Sequence, residues 1–171
     1  MKLFAFFVAL SSSVCCMAQG GSYLVTTEGK KIEIVSDDVE FTEDHISFSS
    51  PEKKKEYMKQ SEVQLLVIGE KRFENLPIVG DKRMRLQEVI AVSKGYKLTE
   101  YWDDGMYYYI FDKDNKQVEG KIKYYNKKSG QELEIIVRKY FKDCKELINH
   151  IQANKGKGAD LFTDVHNLQC L

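Results

Sequence analysis

From residue 23 to residue 137 the apolar positions fall in runs of about five to eight residues, alternating or continuous, with turn residues between them. That spacing belongs to antiparallel sheet, and helical periodicity is scarcely visible there. Residues 23–27 and 31–35 flank Glu28-Gly29-Lys30, a tight hairpin in which glycine takes a positive φ. Residues 39–41 and 45–48 surround the turn Thr42-Glu43-Asp44, and a charged loop, Pro51 followed by Glu52 and three lysines, leads into 56–59. The apolar run 63–68, ended by Gly69, reads as a central strand covered on both faces. Residues 72–80 contain Asn75-Leu76-Pro77 and read as irregular. Residues 84–92 satisfy neither period cleanly, and strand is the favoured reading.

The densest pattern lies between Gly95 and Phe111. Aromatic and β-branched residues flank Asp103-Asp104-Gly105, which predicts a hairpin. Residues 112–116 make the next turn, 117–125 the next strand, 126–130 another turn, and 132–137 the last strand of a meander of about eight to ten.

After Val137 the period changes. Tyr140, Phe141, Cys144, Leu147, Ile148 and Ile151 share one face of a helix. Asp143 with Glu146 forms a capping-box pattern where that helix is expected to begin, and the Lys-Gly pairs at 155–158 end it. Asp160 then caps a short second helix with the stripe Leu161, Val165, Leu168, returning Cys170 towards Cys144. The predicted class is mainly β (α+β), an antiparallel β-meander or incomplete barrel over 23–137 followed by a C-terminal helical hairpin over 138–171.

The first residues change the picture of where this domain works. Lys2, the apolar run 3–10 and the small-residue exit Cys16-Met17-Ala18 form a secretory signal peptide, residues 1–18, with Gln19 as the new terminus; an N-terminal strand is the alternative. Neither Cys15 nor Cys16 has the flanks of a lipidated cysteine. The expected mature chain, 19–171, is a single exported domain that is periplasmic, cell-surface or secreted, with no membrane span after cleavage. Such a length buries about 70% of its unfolded surface, enough for one core. The composition, with 26 basic against 26 acidic residues and 43% hydrophobic, excludes a disordered chain and gives no electrostatic reason to expect nucleic acid. Of the four cysteines only Cys144 and Cys170 follow the signal, and in an exported protein the pair reads as one disulfide. A catalytic cysteine is the sharper alternative.

Catalytic signatures are missing: there is no nucleophile elbow, phosphate loop, zinc-binding helix or C-x-x-C, which lowers the weight of an enzyme with a compact motif but not of one with a distributed site. Asp112-x-Asp114 lacks the Gly and Glu that a calcium loop needs further on, and reads as a hairpin turn. His45, His150 and His166 are scattered, so no cofactor or metal is expected. Tyr101, Trp102, Tyr107, Tyr108 and Tyr109 are the candidate binding residues, because exposed rings on a sheet stack on sugars or anchor proteins; core packing is the competing reading. Alternation sends Tyr107 and Tyr109 to one face and Tyr108 to the other.

The chain resembles a family of small exported proteins of Gram-negative bacteria that carry a signal peptide, a β-meander and a C-terminal helix of the Tyr-Phe-x-Asp-Cys type. The resemblance rests on Ala18-Gln19, on Gly29-Lys30-Lys31, on 95–98 with 107–110, and on 140–147. It implies export and the same architecture. Those proteins carry no assigned activity, so no catalytic residue is carried over. The functional expectation is a non-catalytic binding or envelope-interaction module that meets an envelope protein or a glycan; the rival is a small secreted hydrolase with a distributed active site.

Overall fold

The computed structural model of the protein describes residues 21–35, 37–80, 84–102, 104–124, 127–157 and 161–170. The expected signal peptide, Asp103 and the expected cap Asp160 lie outside the described residues. Strands β1 (Tyr23–Thr26), β2 (Lys31–Glu33), β6 (Val63–Ile68), β7 (Lys71–Pro77), β8 (Met84–Ser93), β9 (Tyr96–Trp102), β10 (Met106–Asp112), β11 (Gln117–Tyr124) and β12 (Leu168–Gln169) form one sheet, ordered β11-β10-β9-β8-β7-β6-β1-β2, with β12 beside β8. Strands β3 (Glu40–Phe41), β4 (His45–Phe48) and β5 (Glu56–Lys59) form a second, smaller one. The fold is mainly β, as expected: an open antiparallel meander, not a closed barrel.

β8 is the pivot. Its first half, up to Glu88, pairs with β7, while its second half pairs with β9 and, in parallel, with β12 at Ala91 and Val92. A register shift between Val89 and Ala91 marks a bulge, and Ile90 and Ala91 both enter the core. Three apolar clusters result. One lies between the first strands of the large sheet and the small sheet and contains Leu24, Ile46, Phe48, Val63, Leu66 and Leu86. The second lies between β8–β11 and two helices, α1 (Lys127–Tyr140) and α2 (Lys145–Asn154), around Leu98, Tyr108, Ile110, Val137, Phe141 and Leu147. The third, Leu76, Tyr109 and Phe111, lies elsewhere.

Several expectations are corrected. Residues 72–80 are not irregular: β7 spans Lys71–Pro77, its charged positions matched by the Arg72–Glu74 and Lys97–Glu74 ion pairs, with proline only at the strand end. Residues 132–137 are not a strand but the middle of α1, and the expected turn before them begins that helix. The β-branched run Ile135-Ile136-Val137 suggested strand, yet Leu133, Ile136, Val137 and Tyr140 keep the helical period, while Ile135 is 69% exposed. α2 starts at Lys145 without a side-chain cap, so the Asp143–Glu146 box does not form. The second expected helix is replaced by a turn at 161–164 and by β12. β6 is covered chiefly on one face, with Val63 and Leu66 buried and Gln64 exposed.

The disulfide is where it was expected: Cys144 and Cys170 are bonded, with Cα atoms 5.1 Å apart. It ties the start of α2 to the C-terminal segment, which runs along β8 through Asn167 N–H to Val89 O (3.0 Å) and Cys170 N–H to Val92 O (2.8 Å). Among the described residues no helix is long and apolar enough to cross a membrane.

Candidate functional site

Residues directly opposite one another in an antiparallel sheet share a face. The observed registers therefore place Ile32, Leu24, Leu66, Phe73, Glu88, Glu100, Tyr108 and Ile122 in one row across the whole large sheet. The apolar residues at one end of the row meet the small sheet, and those at the other end meet the helices. The two glutamates stand between, at the seam where neither cover is complete.

A cleft of about 580 Å³ opens at this seam, within the range of small-molecule sites. Phe73, Leu86, Glu88, Glu100, Trp102 and Met106 come from the large sheet, Phe41 from the end of β3, and Thr42 and Glu43 from the β3–β4 turn. Phe41 and Phe73 pack with ring centroids 5.2 Å apart, joining wall to floor.

Gln60 fixes that wall. Its amide donates to Thr42 O at 2.8 Å, its Oε1 accepts Leu86 N–H at 3.2 Å, and its own carbonyl accepts Asn75 Nδ2–H at 2.9 Å. Arg85, almost fully buried, adds a hydrogen bond to Glu43 O at 2.9 Å and an ion pair with Asp44 at 3.4 Å. Within the turn Thr42 Oγ1 donates to His45 O, closing it locally.

The two carboxylates have different surroundings. Glu88 receives Lys71 Nζ at 3.2 Å on one oxygen and His166 Nδ1 at 2.8 Å on the other. His166 is held there by the C-terminal segment, so the disulfide acts on the site at one remove. Glu100 has no salt bridge, and its Oε2 is buried without a well-formed hydrogen bond among the described residues. Burial pushes its carboxyl up to about 7, the negative charge of Glu88 adding to the rise, against a weaker opposite pull from Lys71 and the Tyr108 hydroxyl. One site thus holds an acid that exchanges its proton near neutrality beside one tied to two nitrogen donors.

The five aromatic candidates separate. Tyr101 and Trp102 both border the cleft, but alternation turns the Tyr101 ring to the other face of the sheet, against the third cluster, while Trp102, 62% exposed, faces the cavity. Tyr108 is fully buried, edge-on to Phe162 at 5.3 Å, and Tyr109 is 2% exposed against Phe111 and Leu76. Tyr107, half-buried, packs on the same third cluster as Tyr109, as alternation required, with Lys123 Nζ 5.4 Å from its ring. Tyr107 to Tyr109 therefore supply core, the Tyr101 ring joins them on the third cluster, and of the five rings only Trp102 contributes to the cavity. Cys144 and Cys170 are engaged with each other, which leaves no thiol nucleophile there.

Elsewhere the candidate chemistry is spent on structure. His150 meets Leu161 O at 2.5 Å and stacks on Phe162, and Asp112 Oδ1 accepts the N–H groups of Asp114 and Lys116, closing the hairpin that superficially resembled a calcium loop. Among the described residues no group of three or more His, Cys, Asp or Glu is placed to hold a metal ion. Sequence reasoning passed over Glu88, Glu100, Phe41 and Phe73. The available signal was the polar trio Arg85, Gln87 and Glu88 inside a strand otherwise apolar enough to be buried.

Compared with known proteins, the chain matches no family model, no curated protein and no solved structure.

Proposed function

We propose that the chain is an exported, non-catalytic binding protein whose site is the cleft at the seam between its two covers. The reading rests on one observation: three aromatic rings, Phe41, Phe73 and Trp102, converge with carboxylates on a concavity of about 580 Å³ whose wall is hydrogen-bonded to its floor. A preformed cavity with an apolar lining and a few directed polar groups is the usual form of a ligand site. Export is supported by the signal-type start and by the Cys144–Cys170 bridge, a pairing at home in an oxidising compartment. An envelope glycan or protein remains the partner class to test first.

Trp102 is the single tryptophan, so its fluorescence reports the cleft directly. Titration with envelope glycans and small apolar ligands is expected to shift its emission, and Gln60→Ala, which frees the wall, is expected to weaken that response. Ligands that bind without moving Trp102 emission, and equally well to Trp102→Ala, would place the site elsewhere.

A second reading, a hydrolase, is favoured by the pairing of a buried acid, Glu100, with a carboxylate held by Lys71 and His166. Turnover of chromogenic glycosides that disappears in Glu100→Gln would establish it.

A further inference from the structure

We propose that the ligand of this cleft is a small organic cation, a primary ammonium on an apolar stem, with its charge between Glu88 and Glu100 and its stem against Trp102 and Phe41. This inference rests on the reading of the cleft as a binding site and names the chemistry of its occupant.

The first argument is charge. Among the described residues four carboxylates line the cleft, Glu43, Glu88, Glu100 and Asp104, and no Lys or Arg does. Glu88 is met by Lys71 and His166, and Glu43 lies 3.9 Å from Arg85, whereas Glu100 and Asp104 have no salt bridge among the described residues. A cation arriving here supplies the charge that the fold withholds.

The second argument is hydrogen-bond polarity. A sugar presents donors and acceptors alike, so its site must offer both. Here the Gln60 amide is committed to Thr42 O, and the Thr42 hydroxyl to His45 O. Beyond the Trp102 indole, the described lining offers acceptor oxygens and ring faces. Ammonium has three donors and no acceptor, and it is attracted to the faces of aromatic rings. The exposed indole of Trp102 and the 43%-exposed Phe41 stand at the mouth, where an apolar stem would leave the carboxylates.

Binding should be linked to a proton. Glu100 faces Glu88 from β8, Lys71 from β7 and Tyr108 from β10, with Glu43 and Asp104 lining the same cleft and His166 acting through Glu88. An ammonium favours the ionised form of Glu100, so it binds more tightly as that proton leaves.

Calorimetry on the full oxidised protein, with 2-phenylethylammonium as probe and 2-phenylethanol and a neutral disaccharide as uncharged controls, tests this. The amine stays protonated from about pH 5.5 to about pH 8.5, so its affinity is expected to rise roughly thirtyfold across that interval in wild type and to stay flat in Glu100→Gln. Asp104→Asn, at an exposed hairpin position, is expected to weaken the amine severalfold and leave the alcohol unaffected. Binding of the alcohol or disaccharide as tightly as the amine would keep the cleft as the site and overturn the cation. Binding of none of the three would overturn both readings.

Discussion

Glu100→Gln isolates the electrostatic cost built into the seam. In the unfolded chain the Glu100 carboxyl has its ordinary value of 4.5, and in the folded protein burial and the Glu88 charge bring it to about 7. A group raised in this way favours the folded state while it is protonated: the contribution is complete below about pH 4.5 and is lost as pH climbs through about 7. The ionised form is therefore penalised by roughly 3 kcal/mol at alkaline pH. Between about pH 5 and about pH 8.5 the native state loses about 2.5 kcal/mol through this one residue.

Glutamine keeps the shape and removes the titration. It leaves an amide that needs partners, at a cost of about 1 kcal/mol, so the variant is expected to match or fall slightly below wild type near pH 5 and to exceed it by roughly 2 kcal/mol near pH 8.5. For a chain of this size that is a rise in midpoint temperature of roughly 4–8 °C. Urea unfolding of both oxidised proteins at the two pH values measures it, and the histidines, common to both, cancel in the difference. An equal stability difference at both pH values, within about 0.5 kcal/mol, would show that Glu100 ionises normally and that the seam is wet.

The other predictions concern the parts that hold the site. Cys144→Ser with Cys170→Ser should lower stability by roughly 3.5 kcal/mol in the chain-entropy account, and near-ultraviolet circular dichroism should show a loosened C-terminal segment. Phe162→Ala removes a ring that contacts both Tyr108 and His150, and should cost about 3–5 kcal/mol in chemical denaturation. Gly120→Val should destabilise by more than 1 kcal/mol, because a Cβ at Gly120 meets the Tyr109 ring at 2.9 Å as well as the Gln117 side chain. Trp102→Ala, by contrast, should leave stability within about 0.5 kcal/mol and affect only ligand response.

Alternation was legible wherever a strand has one wet face, and so were the 96–111 hairpin, the open meander and the cysteine pair. β7 was hidden because the residues that make it look like a loop, Arg72 and Glu74, are neutralised by partners, one of which, Lys97, comes from a strand 23 positions further on. The helix α1 was hidden by three consecutive β-branched residues whose propensity yields to packing: Val137 is buried in the helix-side core although Ile135 is in solvent. The bulges beside Tyr109 and Ile110 had a local sign in Gly120, which leaves room for the Tyr109 ring.

The site itself was not legible, for a reason that lies in register. Alternation says that Glu88 and Glu100 each share a face with apolar neighbours, but not that they stand opposite one another, since a slip of two residues preserves the alternation and separates them. Opposed carboxylates cost free energy, so the register must be imposed by what surrounds them. Gln60 and Arg85 fasten the β3–β4 turn on one side, and His166, carried by a segment that the disulfide closes, meets Glu88 on the other. A sheet that serves two separate cores has a row of positions that neither core dries completely, and polar residues at such a seam can be strained by burial yet remain open to a ligand. That combination, more than any single residue type, makes the seam the place where this fold can bind.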